Sequence, residues 1–257
     1  MKIELWIISF QYGFNVKRVS KIKKLVIIPA FNEEKNIKLV LEELRAYVPN
    51  MDHLVINDCS SDNTREVLID MGATFIDLPC NLGIGGAVQT GYCYALDHGY
   101  DIAVQFDGDG QHMAEYINSL ILPIESNEAD VVIGSRFIEK EGFQSSALRR
   151  VGIGFLSKLI RLLTGIKVYD VTSGMRAVNR KMIDLYAKNY AQDFPEPEAL
   201  LLAGLKGSIV SEVPVKMRER LSGSSSIRSF TSAYYMVKVS LALILSWIFL
   251  RRKDDTN

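Results

Sequence analysis

The 257-residue sequence predicts an α/β fold, a mostly parallel sheet flanked by helices with a hydrophobic helix at the C-terminus. Three observations predict it. Short apolar runs rich in β-branched residues recur between stretches of helical periodicity. Such an alternation implies right-handed β-α-β crossovers. Polar residues close most of the runs, at Asn32/Glu33, Asp58, Asp107/Asp109 and Arg136. Ligands of open α/β sheets bind beyond the carboxyl ends of the strands, so these residues outline an acidic, metal-capable rim.

In order, Leu25 to Pro29 is a continuous apolar run, as in a parallel strand buried on both faces. Asn32 is the candidate N-cap of a helix carrying Ile37, Val40, Leu41 and Leu44. Leu54 to Asp58 is a second strand, and Ser60 to Thr64 opens a helix that Gly72 closes. Thr74 to Ile76 is a short third strand. Asn81 to Ala87 is a glycine-rich lead into a helix through Tyr92 and Leu96. The fourth strand ends at Asp107. A helix with Ile117, Leu120 and Ile121 then leads to a fifth strand, Asp130 to Arg136.

The second half changes character. Residues 139–168 hold a basic amphipathic stretch with Arg149, Arg150, Phe155, Leu156 and Ile160. Asp170 to Ala177 follows, then Asp193 to Glu198, which reads as a surface turn made by two prolines. Ile209 to Val215 is a final strand, and Arg218 to Ser226 a polar loop. The tail from Ala233 to Leu250 is 18 residues interrupted by Lys238 and followed by Arg251, Arg252 and Lys253. It fits a marginal spanning helix, an interfacial helix, or a core or dimer helix. The division is thus an extension over residues 1–22, a domain over 23–228 and a membrane-associated helix with a basic tail over 229–257. Residues 1–22 are too short an apolar segment to span a bilayer and carry no assigned function.

Composition excludes several classes. Lys+Arg 30 balances Asp+Glu 30, which argues against a dedicated nucleic-acid binder. Cys59, Cys80 and Cys93 are odd in number and lack CxxC spacing, so zinc and a disulfide framework are poorly supported and reduced thiols fit better. Three histidines without HExxH speak against a zinc hydrolase.

The chemistry centres on Val104 to His112, an apolar strand ending in Asp107-Gly108-Asp109-Gly110-Gln111. Carboxylates at i and i+2 of an extended chain point the same way. Mg²⁺ takes one or two carboxylates plus substrate phosphates, so the pair reads as a clamp on a diphosphate. Gln111 continues the series with a neutral oxygen. Alone, the same residues also fit a polar turn after a strand.

The ordered set Val26 to Glu34 (VIIPAFNEE), Asn57 to Asp62 (NDCSSD), Asn81 to Gly85 (NLGIG), Phe106 to His112 (FDGDGQH) and Gly134 to Arg136 (GSR) resembles family 2 glycosyltransferases with a GT-A fold. Within that family it is most similar to the dolichyl- and polyprenyl-phosphate sugar transferases, and Asp170 with Ser173-Gly174-Met175-Arg176 matches their acceptor-side motif. The resemblance implies a nucleotide-diphosphate sugar donor, UDP favoured, and inversion by direct displacement. Pro29, Ala30 and Glu33 would cradle the nucleoside, Asp58 would face the base, and Gly83 and Gly85 would let backbone approach the donor. Asp107, Asp109 and Gln111 would hold Mg²⁺ or Mn²⁺. The implied acceptor is polyprenyl (undecaprenyl) phosphate at the cytoplasmic face of the cell membrane, for cell-envelope glycan synthesis. A lipid monophosphate is already ionised near neutral pH, so it needs orienting cations more than a base. Arg136, Arg176, Arg218 and Arg220 are the candidates, with Asp170 orienting the acceptor or removing a proton. A lone marginal helix suggests a small membrane partner subunit or a homo-oligomer. The competing readings are a hydroxyl acceptor on the same fold, which would demand a stronger base at Asp170 or Glu196/Glu198, and a non-catalytic nucleotide-sugar-binding module.

Overall fold

The computed structural model describes residues 22–139, 141–142, 147–219 and 231–254. The extension over residues 1–21, Arg220 and most of the polar loop that follows it lie outside the described residues.

The first half follows the expected alternation. Strands β1 (Lys24–Ala30), β2 (Asp52–Asn57), β3 (Phe75–Asp77) and β4 (Ile102–Gln105) are joined by α1 (Ile37–Tyr47), α2 (Thr64–Asp70) and α3 (Gly83–Asp97). β1 pairs in parallel with both β2 and β4, and β2 with β3. A 3₁₀ turn at Ala114–Tyr116 and α4 (Ile117–Glu125) lead to β5 (Val131–Ser135). Then come α5 (Ala147–Thr164), β6 (Arg176–Asn179), α6 (Arg180–Lys188), α7 (Pro195–Leu205), β7 (Val210–Pro214) and α8 (Thr231–Asp254).

One strand departs from expectation. β6 inserts between β4 and β5 and runs antiparallel to both, with Val104 opposite Ala177 and Ile133 opposite Arg176. The sheet order is therefore β3-β2-β1-β4-β6-β5-β7. Arg-Ala-Val-Asn is four residues long and mixed in polarity, so no periodicity announces a strand. Its partners come from β4 and β5, distant in sequence.

The core forms on both faces of the sheet, and β1 feeds both because successive side chains alternate. Leu25 and Ile27 join the layer with Val88 and Tyr92 of α3, Leu156 and Ile160 of α5, Ile183 of α6 and Leu200 of α7. Val26 and Ile28 join the opposite layer, with Leu41 of α1, Leu68 of α2 and Leu120 of α4.

The C-terminal helix corrects the expectation of a hydrophobic appendage. Val239 and Leu243 are fully buried in the domain core. Trp247 Nε1 donates to the Leu163 carbonyl at 3.0 Å, and Gly152 lies against Met236, where a Cβ would come within 2.7 Å of Sδ. The two contacts are eleven residues apart on each helix, so α5 and α8 run parallel and in step. Ser246 Oγ donates to Glu198 Oε2 at 3.1 Å, tying α8 also to α7. Among the described residues no helix is long and apolar enough to cross a membrane. The apolar positions that made the tail look hydrophobic on every side serve two surfaces, one of them the domain interior.

If α8 is a packed element, Leu243→Ala should lower unfolding stability by about 2–5 kcal/mol. Urea unfolding followed by tryptophan fluorescence measures this, and an unchanged midpoint would show that α8 is not packed.

Candidate active site

The C-terminal ends of β1, β2 and β4 converge on an open cleft of about 760 Å³. Pro29, Ala30, Glu33, Asp58, Gly83, Asp107 and Asp109 all line it, as expected for the donor side. Asn32 sits in the left-handed region at φ 57. Its Oδ1 accepts from the backbone N–H groups of Ser61 and Asp62 at 2.8 and 3.3 Å. It therefore clasps the β2 loop and does not cap α1, whose N-cap is Asn36. Asp62 accepts from the Thr64 backbone at 3.0 Å and the Glu34 backbone at 3.1 Å. Burial pushes its pKa up, but the hydrogen bonds from Thr64 and Glu34 outweigh that and hold it below the ordinary value. Asp62 is thus a loop clasp at the start of α2.

Asp58 is buried, and its Oδ1 accepts the Leu82 N–H at 2.7 Å while its carbonyl accepts from Asn81 Nδ2 at 3.2 Å. This clamp sets the entry into α3. Gly83 takes φ +74, a conformation that side chains disfavour. Gly85 differs from expectation. A Cβ there would collide with the Ala191 and Gln192 backbone, so Gly85 serves packing of α3 against that segment and does not line the cleft.

Behind the paired carboxylates lies a buried histidine. The Asp107 N–H donates to His112 Nδ1 at 3.0 Å, which leaves Nε2 as the protonated nitrogen of the neutral ring, 3.6 Å from Asp107 Oδ2. His112 packs edge-on against Phe106. It reads in the sequence as a turn residue, and the structure makes it a brace for Asp107. Asp109 Oδ1 accepts the Gln111 N–H at 3.0 Å. Gln111 Nε2 donates to the Arg218 carbonyl at 3.3 Å, and the Arg218 N–H returns to the Gln111 carbonyl at 2.9 Å. Gln111 is thus engaged with the segment after β7, with its amide oxygen as the group left for a cation.

Among the described residues no group of three or more His, Cys, Asp or Glu side chains could hold a metal by themselves. A two-carboxylate site completed by diphosphate oxygens does not need one. The local shape agrees: Gly174 lies so close that a Cβ would come within 2.6 Å of Asp107 Oδ2, so the absence of a side chain keeps that flank of the carboxylate clear. Hard oxygen donors on an open cleft suit Mg²⁺ or Mn²⁺.

The expected acceptor cations are placed differently. Arg136, at the end of β5, forms a bidentate pair with Asp170 at 2.7 Å for both Nε–Oδ2 and Nη2–Oδ1. Asp170 is 0% exposed, so it orients Arg136 and is closed to an acceptor, which corrects its reading as an acceptor-side base. Arg176 points inward from β6 and is 0% exposed. It donates to the Ser173 carbonyl at 2.6 Å and the Glu196 carbonyl at 3.3 Å, among Tyr92, Tyr186 and Tyr190. It does not face an acceptor; it ties together two loops. Arg218 forms a bidentate pair with Glu43 of α1, at 2.7 and 3.1 Å. Like Arg136 on Asp170, it is thus held in place by a carboxylate, and it is the more exposed of the two arginine side chains. Arg220 lies outside the described residues.

Glu196, a candidate base on the hydroxyl-acceptor reading and otherwise part of an expected surface turn, is half-buried beside Arg176 and Asp107. The two prolines begin α7, with Pro195 in its first turn, where proline lacks no needed N–H. Burial pushes the Glu196 carboxyl above its ordinary range; Arg176 pulls it back and Asp107 adds to the rise. The carboxyl therefore sits among the charges of the site.

Residues 25–186 match the model of glycosyl transferase family 2. The chain belongs to that family. A UDP-N-acetylglucosamine–dolichyl-phosphate N-acetylglucosaminyltransferase of Methanococcus voltae is 34% identical over 212 residues, covering 74% of this chain and 84% of that protein. An undecaprenyl-phosphate mannosyltransferase of Micrococcus luteus is 31% identical over 240 residues, covering 89% of this chain and 98% of that protein. The resemblance to polyprenyl-phosphate sugar transferases thus holds, and the chain is a glycosyltransferase. The crystal structure of glucosyl-3-phosphoglycerate synthase from Mycobacterium tuberculosis, in complex with Mn²⁺, UDP and phosphoglyceric acid, has the same fold, with a TM-score of 0.65 at 20% identity over 88% of this chain and 78% of that one.

The transferase should lose about 3–5 kcal/mol of stability in Asp170→Asn, because Arg136 would be left in a buried site without its counter-charge. A small loss in denaturant titration, with activity alone abolished, would restore Asp170 as a base.

Proposed function

We propose that the transferase moves one sugar from a nucleotide-diphosphate sugar, UDP-linked by preference, to polyprenyl phosphate, with inversion, at the cytoplasmic face of the cell membrane. The observation that carries this reading is the pairing of an Asp107/Asp109 clamp on an open cleft with a neighbouring Asp170 sealed against Arg136. An ionised phosphate acceptor needs no base, so a closed Asp170 is what that chemistry permits. The relatives named for dolichyl and undecaprenyl phosphate, and the UDP and Mn²⁺ of the structural neighbour, support the same donor and acceptor classes.

In this mechanism Pro29, Ala30, Glu33 and Asp58 hold the nucleoside, and Asp107, Asp109 and the Gln111 amide oxygen hold the cation. Bound Mg²⁺ or Mn²⁺ would stabilise the departing diphosphate as charge builds on it. Arg136, oriented by Asp170, faces the acceptor phosphate and offsets its repulsion from the donor. The hydroxyl-acceptor reading has one observation in its favour, the half-buried Glu196 carboxyl near Asp107, which would serve as its base.

Surfaces that the fold leaves apolar support attachment to the bilayer. On α5, Val151, Phe155 and Leu162 are exposed; on α8, Val237, Leu241, Leu245 and Phe249 are exposed at helical spacing. Arg150, Lys158 and Arg161 flank the first stripe and Arg251 the end of the second. Two adjacent apolar stripes edged by cations suit an anionic lipid surface.

Membranes containing the full chain, supplied with radiolabelled nucleotide sugars, Mg²⁺ or Mn²⁺ and undecaprenyl phosphate, should yield an organic-phase product labile to mild acid. EDTA should abolish it, and Asp109→Ala should slow it at least ~100-fold, since several kcal/mol of charge stabilisation are lost. Label in a water-soluble or acid-stable product would favour the hydroxyl acceptor; donor binding without turnover would favour the binding module. Separately, Phe155→Glu with Leu241→Glu should release the chain from vesicles containing phosphatidylglycerol with its thermal unfolding unchanged. Retention on the vesicles would place the membrane surface elsewhere.

A further inference from the structure

Two thiols bracket the clamp that shapes the donor end of the cleft. Cys59 follows Asp58 beyond β2, Cys80 precedes Asn81 ahead of α3, and both are exposed. The two segments run side by side. Asn57 is in register with Asp77, Leu78 N donates to the Asn57 carbonyl at 2.9 Å, and Asn81 and Leu82 both bind Asp58. Cys59 Sγ lies 3.9 Å from the Pro79 carbonyl oxygen, which belongs to the peptide leading into Cys80. Covalent geometry puts that oxygen about 2.8 Å from Cys80 Cα, so Cys59 Sγ lies within about 6.7 Å of it. Continuing that register puts Cys59 opposite Pro79 and Cys80 one residue further along, and such diagonal neighbours, about 4.8 Å apart across the strands and about 3.3 Å along them, have Cα atoms roughly 6 Å apart, inside the range of about 4.4–6.8 Å that disulfides need. Both cysteines stand in loops, outside helix and strand, where small backbone shifts are open to them. Cys59 also holds φ 59, a left-handed conformation uncommon for a residue with a side chain.

We infer that Cys59 and Cys80 form a reversible disulfide that distorts the donor end of the cleft and weakens donor binding; the consequence for the donor rests on the proposed function. The step is thiol–disulfide exchange with a low-molecular-weight disulfide. The thiolate of one cysteine attacks it, forming a mixed disulfide and expelling one small thiol. The second cysteine then attacks the mixed disulfide and expels the other. The protein loses two electrons and two protons, and the small disulfide gains both as two thiols. In a reducing compartment such a bond is transient, as redox-sensing disulfides are. Closure draws the Pro79–Cys80 turn toward Cys59 and shifts the Asn81 and Leu82 contacts to Asp58, which lines the cleft. Cys93 is the internal reference: its Sγ contacts the Ala187 carbonyl from α3, and burial pushes its thiol pKa up.

The test treats the full chain with glutathione disulfide and reads two quantities separately, thiol chemistry and UDP binding in Mn²⁺. Peptide mapping should find Cys59 joined to Cys80 with the loss of two hydrogens, and calorimetry should find UDP affinity lowered about tenfold, equivalent to ~1.4 kcal/mol. Dithiothreitol should restore both. Cys59→Ser and Cys80→Ser should each abolish the cross-link and the affinity change, and Cys93→Ser should alter neither. Separate glutathione adducts without a cross-link would overturn the pair. A cross-link with unchanged UDP affinity would overturn its effect on the donor end. A reduced chain that binds no UDP would instead count against the proposed donor, while the thiol map would still decide the pair.

Discussion

The bidentate pair between Arg136 and Asp170 is the constraint on which the site depends. A carboxylate with no exposed surface is tolerable only when its lone pairs are matched. Asp170 accepts from Arg136 Nε, Nη2 and backbone N–H, and from Thr172 Oγ1. Glu212 of β7 holds the same turn from the other side, taking the N–H groups of Tyr169 and Asp170 at 2.8 and 2.9 Å. The end of β5 is thereby fastened to the loop carrying Ser173 and Gly174. That loop is pressed on Asp107, and it continues into β6. The paired carboxylates therefore owe their surroundings to an ion pair that touches neither of them.

Behind this pair the charge arrangement is layered. Arg176 sits beneath the loop, among tyrosine rings whose centroids are 5.3–5.4 Å apart, and spends its hydrogen bonds on the Ser173 and Glu196 carbonyls. Arg218 anchors the chain after β7 to Glu43 and, through Gln111, to the carboxylate loop. Of the cations that the sequence offers for a phosphate, the described ones mostly hold the site together. Arg136 is itself buried, at 7% exposure, and stands at the end of β5. The site thus fixes its own cations with carboxylates and carbonyls in the absence of any ligand, an arrangement that lowers the reorganisation needed when an anion binds.

The first four strands and the cleft at their carboxyl ends were legible because their signals are local. Leu25 to Pro29 and Ile102 to Phe106 are apolar runs that end in polar residues, and Pro29, Ala30, Glu33, Asp58, Asp107 and Asp109 do meet at one cleft. β6 was not legible, because four mixed residues carry no period. Arg176, Asp170 and Arg218 were placed on the acceptor side because residue type cannot say which way a side chain points. The burial of His112 and Glu196 was missed for the converse reason: a histidine after a turn and a glutamate between prolines look like surface residues until the chain closes over them.

By itself the sequence determined the class of the fold, the family and the carboxylate pair, since periodicity and short motifs are properties of neighbours in the chain. Only the tertiary structure decided which charges are spent on one another, that β6 separates β4 from β5, and that α8 packs along α5. Those outcomes depend on partners 34 to 175 residues apart, from Arg136 and Asp170 to Glu43 and Arg218. A buried charge must find its counter-charge wherever the fold brings one, and no local pattern records that search.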